Sequence, residues 1–103
     1  MIVGEWLSDR APAPPQLTAR ITGVVGEHLD MPADDATGVL LDGAERLLED
    51  LVARPSAGRE SALDLLTVDA LVTYAFEAAS ARPESLAPRA IEAMRRLSSL
   101  ATA

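Results

Sequence analysis

The sequence predicts an all-α protein: a small up-down antiparallel bundle of four principal helices, preceded by a short helical turn. Among its 103 residues Ala and Leu dominate while Asn and Lys are absent, so helix formers are abundant. Apolar residues also recur at the three-to-four-residue spacing of amphipathic helices. Because the connections are short, neighbouring helices are expected to be antiparallel. We expect a single helical domain over residues 1–103.

The pattern of the amino-terminal residues 1–10 predicts a short helical turn with one apolar face. Their apolar residues have helical spacing: Ile2, Val3, Trp6 and Leu7. Residues 11–15, Ala-Pro-Ala-Pro-Pro, predict a stiff connector because proline fixes its own φ and lacks an N–H group. Residues 16–103 are then expected to form the bundle.

The first two long helices are predicted over residues 16–29 and 36–53. In the first, apolar residues fall on one side: Leu17, Ile21, Val24, Val25 and Leu29. Residues 30–35 predict a turn in which Asp34 or Asp35 caps the next helix. In the second helix a leucine-rich stripe lies opposite four charged residues: Asp42, Arg46, Glu49 and Asp50.

The third helix is predicted over residues 59–81 and is apolar around most of its circumference, which is typical of a central helix. Its polar stripe comprises Asp69, Thr73, Glu77 and Ser80. The fourth helix is predicted over residues 86–100, with Ser85 as its cap and Pro88 in the first turn, where no N–H is needed. We expect it to bury Leu86, Ala90, Ile91, Met94, Leu97 and Leu100.

The composition disfavours binding to nucleic acid or to anionic membranes, because the net charge is −7 and no Lys is present. The acidity is concentrated in residues 27–50. No secretory signal is recognised at the amino terminus, and the most apolar stretch, residues 65–79, is interrupted by Asp69 and Glu77. We therefore expect an acidic cytoplasmic protein without a transmembrane helix.

Known chemical motifs are not found in the sequence, so we expect no cofactor, metal ion or catalytic residue. There is no Cys, and Gly38 with Gly43 has the P-loop interval but is not followed by Lys and Ser or Thr. Asp42, Glu45 and Glu49 share one side of a helix and would suit a divalent cation. We interpret them instead as a solvated outer face, because the apolar stripe lies opposite.

Four polar residues are candidates for an interior ligand site: His28, Asp64, Thr67 and Tyr74. His28 lies in the apolar stripe of its helix. It either acts as a general base or contacts a ligand, or it satisfies carbonyls in the last helical turn. Asp64 is either a buried functional carboxylate or the partner of Ser61 in a capping box. Tyr74 fits a core position whose hydroxyl reaches a polar partner.

Residues 68–77, Val-Asp-Ala-Leu-Val-Thr-Tyr-Ala-Phe-Glu, resemble the helix that follows the first aspartate-rich motif of trans-polyprenyl diphosphate synthases. That family holds magnesium with two aspartate-rich clusters. This chain has only Asp34 and Asp35 in a predicted turn, so the resemblance carries over no site residue.

The sequence leads us to expect a non-catalytic protein-interaction or self-associating module. The third helix has more apolar surface than a chain of this length can cover, which favours a homodimer or a protein partner at that helix. The alternative is a small-ligand-binding or enzymatic helical bundle with an interior site near His28, Asp64 and Tyr74.

Overall fold

The computed structural model describes residues 1–10, 12–54, 58–81 and 83–102; for residues 83–87, 89, 90 and 102 it describes the backbone alone. These residues form five α-helices: α1 (Val3–Ser8), α2 (Pro15–Val25), α3 (Ala36–Ala53), α4 (Arg59–Ala79) and α5 (Pro83–Thr102). Two short 3-10 helices, Gly26–Asp30 and Ala33–Asp35, connect α2 to α3. The all-α class is confirmed, whereas the up-down order of the four long helices stays a prediction.

The centre of the core lies between α3 and α4. Leu40 of α3 and Leu71 of α4 are completely buried. The Thr37 hydroxyl donates a hydrogen bond of 3.4 Å to the carbonyl of Ala75. Because this bond joins the beginning of α3 to the end of α4, the two helices run in opposite directions.

The short helix α1 closes one end of this core, which confirms the helical turn predicted within residues 1–10. Val3 is completely buried. Its N–H donates to the Met31 carbonyl at 2.8 Å, and the Ala33 N–H donates to the Met1 carbonyl at 2.9 Å. These bonds attach α1 to the connection between α2 and α3. In the predicted connector, Pro15 is the first residue of α2, and Ala11 lies outside the described residues.

Helix α2 ends four residues before the predicted limit of residue 29. Gly26 has φ of 58°, a left-handed conformation that glycine adopts without steric cost, and the chain continues as a 3-10 helix. Since the 3.6-residue period stops at this point, His28 does not lie in an apolar stripe. It is exposed.

Helix α4 starts at Arg59, so Ser61 lies inside its first turn and the predicted capping box with Asp64 is wrong. The residue in the N-cap position is Gly58. The predicted polar stripe is confirmed, because all four of its members are exposed: Asp69, Thr73, Glu77 and Ser80. On the opposite side, buried residues recur at every fourth position: Thr67, Leu71, Ala75 and Ala79.

Helix α5 departs furthest from expectation. It begins at Pro83, so Pro88 is inside the helix and not in its first turn. Ile91 and Met94 were expected to be buried but are 69% and 60% exposed, while Ala93 is buried. The predicted burial was wrong because the inward side of α5 is centred on Ala93 and extends to half-buried Leu97 and Leu100. The side chains of Leu86 and Ala90 lie outside the described residues.

Among the helices of the described residues, none has both the length and the apolar character needed to cross a membrane.

Candidate functional site

A half-open cavity of about 340 Å³ lies between α3, α4 and α5. Its apolar wall is formed by residues from all three helices: Leu41, Ala44, Val72, Ala93 and Leu97. Its charged residues come from α3 and α5: Asp42, Glu45, Glu92 and Arg96. Among the described side chains of α5, the small Ala93 is the buried one that lines this cavity.

The charged residues of the cavity form an ion-pair network around Arg96. Its Nη1 atom lies 2.9 Å from Asp42 Oδ1 and 3.4 Å from Glu45 Oε2, and its Nε atom lies 3.2 Å from Glu92 Oε1. Arg95 Nη2 also contacts Glu92 Oε1 at 2.7 Å. One guanidinium group therefore connects α5 to two carboxylates of α3.

This network changes the acid–base properties of its members. Hydrogen bonds from Arg95 and then Arg96 lower the pKa of Glu92, and the bond to Asp42, followed by that to Glu92, raises the pKa of Arg96. The acidic side of α3 is thus partly a contact with α5, and not only the solvated face that we predicted. The pairing of Glu92 with Arg96 follows from their four-residue spacing, but the link to α3 depends on tertiary packing.

Gly38 lies in the wall of this cavity. A Cβ atom built at Gly38 would have no heavy atom within 4 Å, whereas one at Gly43 would lie 3.2 Å from Val24 Cγ1. The close approach of α2 to α3 therefore explains why position 43 is a glycine. The protein's own described atoms do not explain Gly38, although glycine costs about 1 kcal/mol relative to alanine inside a helix.

The sequence-predicted residue His28 lies outside the core and is exposed. Its Nδ1 atom is 3.3 Å from the carbonyl oxygen of Val25. This contact supports the interpretation that His28 satisfies a carbonyl at a helix end. His28 borders two surface cavities next to Asp42 and Arg46, and neither contains Asp64, Thr67 or Tyr74.

Asp64 joins two helices. Its Oδ1 accepts a 2.7 Å hydrogen bond from Arg20 Nε of α2, and its side chain is 20% exposed. The bond raises the pKa of Arg20. Thr67, one turn further along α4, is completely buried and donates its hydroxyl proton to the Leu63 carbonyl at 2.8 Å. Both residues thus have structural partners, and a ligand-binding role stays a prediction.

Tyr74 is half-buried and borders a second cavity, of about 300 Å³, between α1, α2 and α4. Arg10 borders the same cavity, stacks 4.3 Å from the centre of the Trp6 ring and lies 3.7 Å from a carboxylate oxygen of Glu77. The other three candidate residues do not line this cavity. The structure therefore does not bring the four candidates together around it.

An apolar stripe on α4 is the second feature of functional interest. It consists of Leu65, Val68, Val72 and Phe76, which fall within about 80° on a helix of 100° per residue. Leu65 is 56% exposed and Phe76 37%, and the two valines are half-buried. We refer to these four residues as the α4 stripe. Helix α5 also exposes two large apolar side chains, Ile91 and Met94.

The described residues contain no group of three or more His, Asp or Glu side chains arranged to hold a metal ion. Comparison of the chain with protein-family models, curated proteins and solved structures finds no match.

Proposed function

We propose that the protein is a non-catalytic, cytoplasmic interaction module that forms a homodimer through the α4 stripe. In this proposal the four long helices form an up-down bundle, and α4 contributes to both the core and the dimer interface. The supporting observation is the exposure of Leu65 and Phe76 on a helix that is otherwise central to the fold. Large apolar side chains that share one exposed surface are typical of association sites.

The order of residues in the α4 stripe favours a second copy of the chain as the partner. In an antiparallel pair of α4 helices related by a two-fold axis, Leu65 would face Phe76 of the partner, and Val68 would face Val72 of the partner. The first pairing places the axis between residues 70 and 71 and the second places it at residue 70, half a residue away. The stripe is therefore complementary to itself, as a two-fold interface requires.

The competing function, ligand binding near His28, Asp64 and Tyr74, gains no support from the geometry. Asp64 is paired with Arg20, and His28 and Tyr74 border different cavities.

Sedimentation equilibrium tests the dimer. We expect the wild-type chain to have twice the monomer mass and the Leu65→Glu variant to be monomeric, because the substitution places a charge in the apolar contact. Leu65 is exposed, so the variant is expected to fold. Ala19→Glu, at an exposed position of α2, adds the same charge elsewhere and should leave the dimer intact. A wild-type chain that is monomeric at millimolar concentration would overturn the proposal.

Cysteine cross-linking tests the antiparallel register, and the chain contains no Cys that would interfere. Positions 65 and 76 are about 16 Å apart along one helix, which is too far for an intrachain disulfide. The double variant Leu65→Cys/Phe76→Cys should therefore oxidise to a covalent dimer, and Leu65→Cys alone should not. Cross-linking of the single variant would show a parallel pairing and contradict the register.

A further inference from the structure

We propose that the cavity between α3, α4 and α5 binds a small organic cation that consists of an apolar body and an ammonium group. The juxtaposition of an apolar wall with carboxylates at one edge carries this inference. Val72 belongs to both the cavity wall and the α4 stripe, so the experiments below distinguish the ligand site from the proposed dimer.

The size and lining of the cavity fit the apolar body of such a ligand. Its volume of about 340 Å³ lies within the range of about 300 to 1,000 Å³ that is common for small-molecule sites. Leu41, Val72 and Leu97 supply aliphatic surface from three different helices. An alkyl or aryl group placed against them would be removed from contact with water, which favours binding.

The charges at the edge of the cavity determine the sign of the ligand. Among the described side chains that line it, three carboxylates surround one guanidinium group. Arg96 already contacts all three, so an anionic ligand would have to displace a carboxylate from it. An ammonium group can instead donate to carboxylate oxygens that Arg96 leaves available, above all on Glu45, whose contact with Arg96 is the longest.

Gly38 supplies a second, independent observation. It borders the cavity, and the space that a Cβ atom would occupy is empty to 4 Å. Gly38 also borders the cavity that His28 and Met31 line. Glycine at this position leaves the edge of both cavities free of a side chain, although helix propensity favours alanine.

Calorimetric titration with three matched probes tests the inference: 4-phenylbutylamine, 4-phenylbutanol and 4-phenylbutanoate. We expect the amine to bind about tenfold more tightly than the alcohol, as one charge-assisted hydrogen bond would give. We expect the carboxylate to bind more weakly than the alcohol. Glu45→Gln should reduce the preference for the amine and leave the affinity for the alcohol unchanged.

Two glycine variants show whether the probe occupies this cavity. Gly38→Leu should remain folded and lose at least tenfold in affinity for the amine, because the new side chain occupies the site. Gly23→Leu is the matched control, since a Cβ there also meets nothing within 4 Å, but on an exposed position of α2 outside the cavity. It should bind the amine as the wild type does.

The inference is overturned if no probe binds, if the three probes bind equally, or if Gly38→Leu leaves the affinity unchanged. Repeating the titration with Leu65→Glu separates this result from the dimer. Leu65 does not line the cavity, so this variant should still bind the amine more tightly than the alcohol, even where loss of the partner changes the exposure of Val72.

Discussion

The pair of helices α3 and α4 and the peripheral helix α5 are held by different interactions. Leu40 and Leu71 are completely buried between α3 and α4. Among the described side chains of α5 only Ala93 is buried, and Arg96 connects the helix to α3 through exposed ion pairs. An apolar stripe in the sequence thus predicts packing where large side chains fill the core. Such a stripe is a poorer guide to packing where a small residue and charged residues determine which side of the helix faces inward.

The largest expected effect is the loss of a core leucine. Leu71→Ala should lower the free energy of unfolding by about 2–5 kcal/mol, because it leaves a cavity between α3 and α4. Leu97→Ala, at a half-buried position of α5, should cost less than about 1.5 kcal/mol. Urea denaturation measures both values. Equal losses would show that α5 is as much a part of the core as α4.

The two glycines of α3 test how closely its neighbours approach. Gly43→Leu should destabilise the protein by about 1–3 kcal/mol through overpacking, because its Cβ would lie 3.2 Å from Val24 Cγ1. Gly38→Leu should be neutral or stabilising by up to about 1 kcal/mol, because α3 gains helix propensity without a clash. Thermal denaturation distinguishes these outcomes. Destabilisation by Gly38→Leu would place α5 closer to α3 than the structure does.

The same contrast explains what could be predicted from the sequence. The limits of α3 agree with the prediction of residues 36–53, because a leucine-rich stripe runs along the helix and Pro55 follows it in the sequence. The end of α2 was missed because the positive φ of Gly26 cannot be inferred from periodicity. The inward side of α5 was missed because two apolar residues, Ile91 and Met94, are exposed.

The candidate sites were harder to predict than the helices. The sequence pattern singled out His28 and Asp64 as the one His and as an acidic residue at an apolar position. The structure places His28 against the Val25 carbonyl and pairs Asp64 with Arg20 of α2. The cavity beside Arg96 requires three helices to meet, and no local spacing indicates it. Exposure of the α4 stripe was foreseeable, since α4 is apolar on most sides.

The ion pair that joins α2 to α4 should contribute less to the free energy of unfolding than the buried Leu71 does. Arg20 is partly exposed, so its bond to Asp64 is screened by solvent, and a double-mutant cycle of Arg20→Gln and Asp64→Asn should give a coupling energy below about 1 kcal/mol. Urea denaturation of the wild type, the two single variants and the double variant measures this coupling energy. A coupling of several kcal/mol would make this pair part of the core, and would restore Asp64 as a candidate functional carboxylate.

The smallest expected effect is a local loosening of α5 in acid. Hydrogen bonds from Arg95 and Arg96 lower the pKa of Glu92 in the folded protein, so the charged form stabilises this state. Its contribution is complete above the pKa that Glu92 has in the unfolded chain, and is lost as the pH falls through the lowered value. Hydrogen exchange protection, corrected for intrinsic rates, should therefore decrease in α5 over this range while that of α3 and α4 is maintained.

The Glu92→Gln variant isolates the contribution of this residue to the acid response. Asp42 and Glu45 also contact Arg96, so Glu92 is one of three carboxylates in the network. Glutamine cannot titrate, and the variant should already have reduced protection in α5 at neutral pH, with a smaller further loss in acid. If α3 and α4 lose protection together with α5, the peripheral helix and the core unfold as one unit. The two regions would then differ in the contacts that hold them but not in their stability to local unfolding.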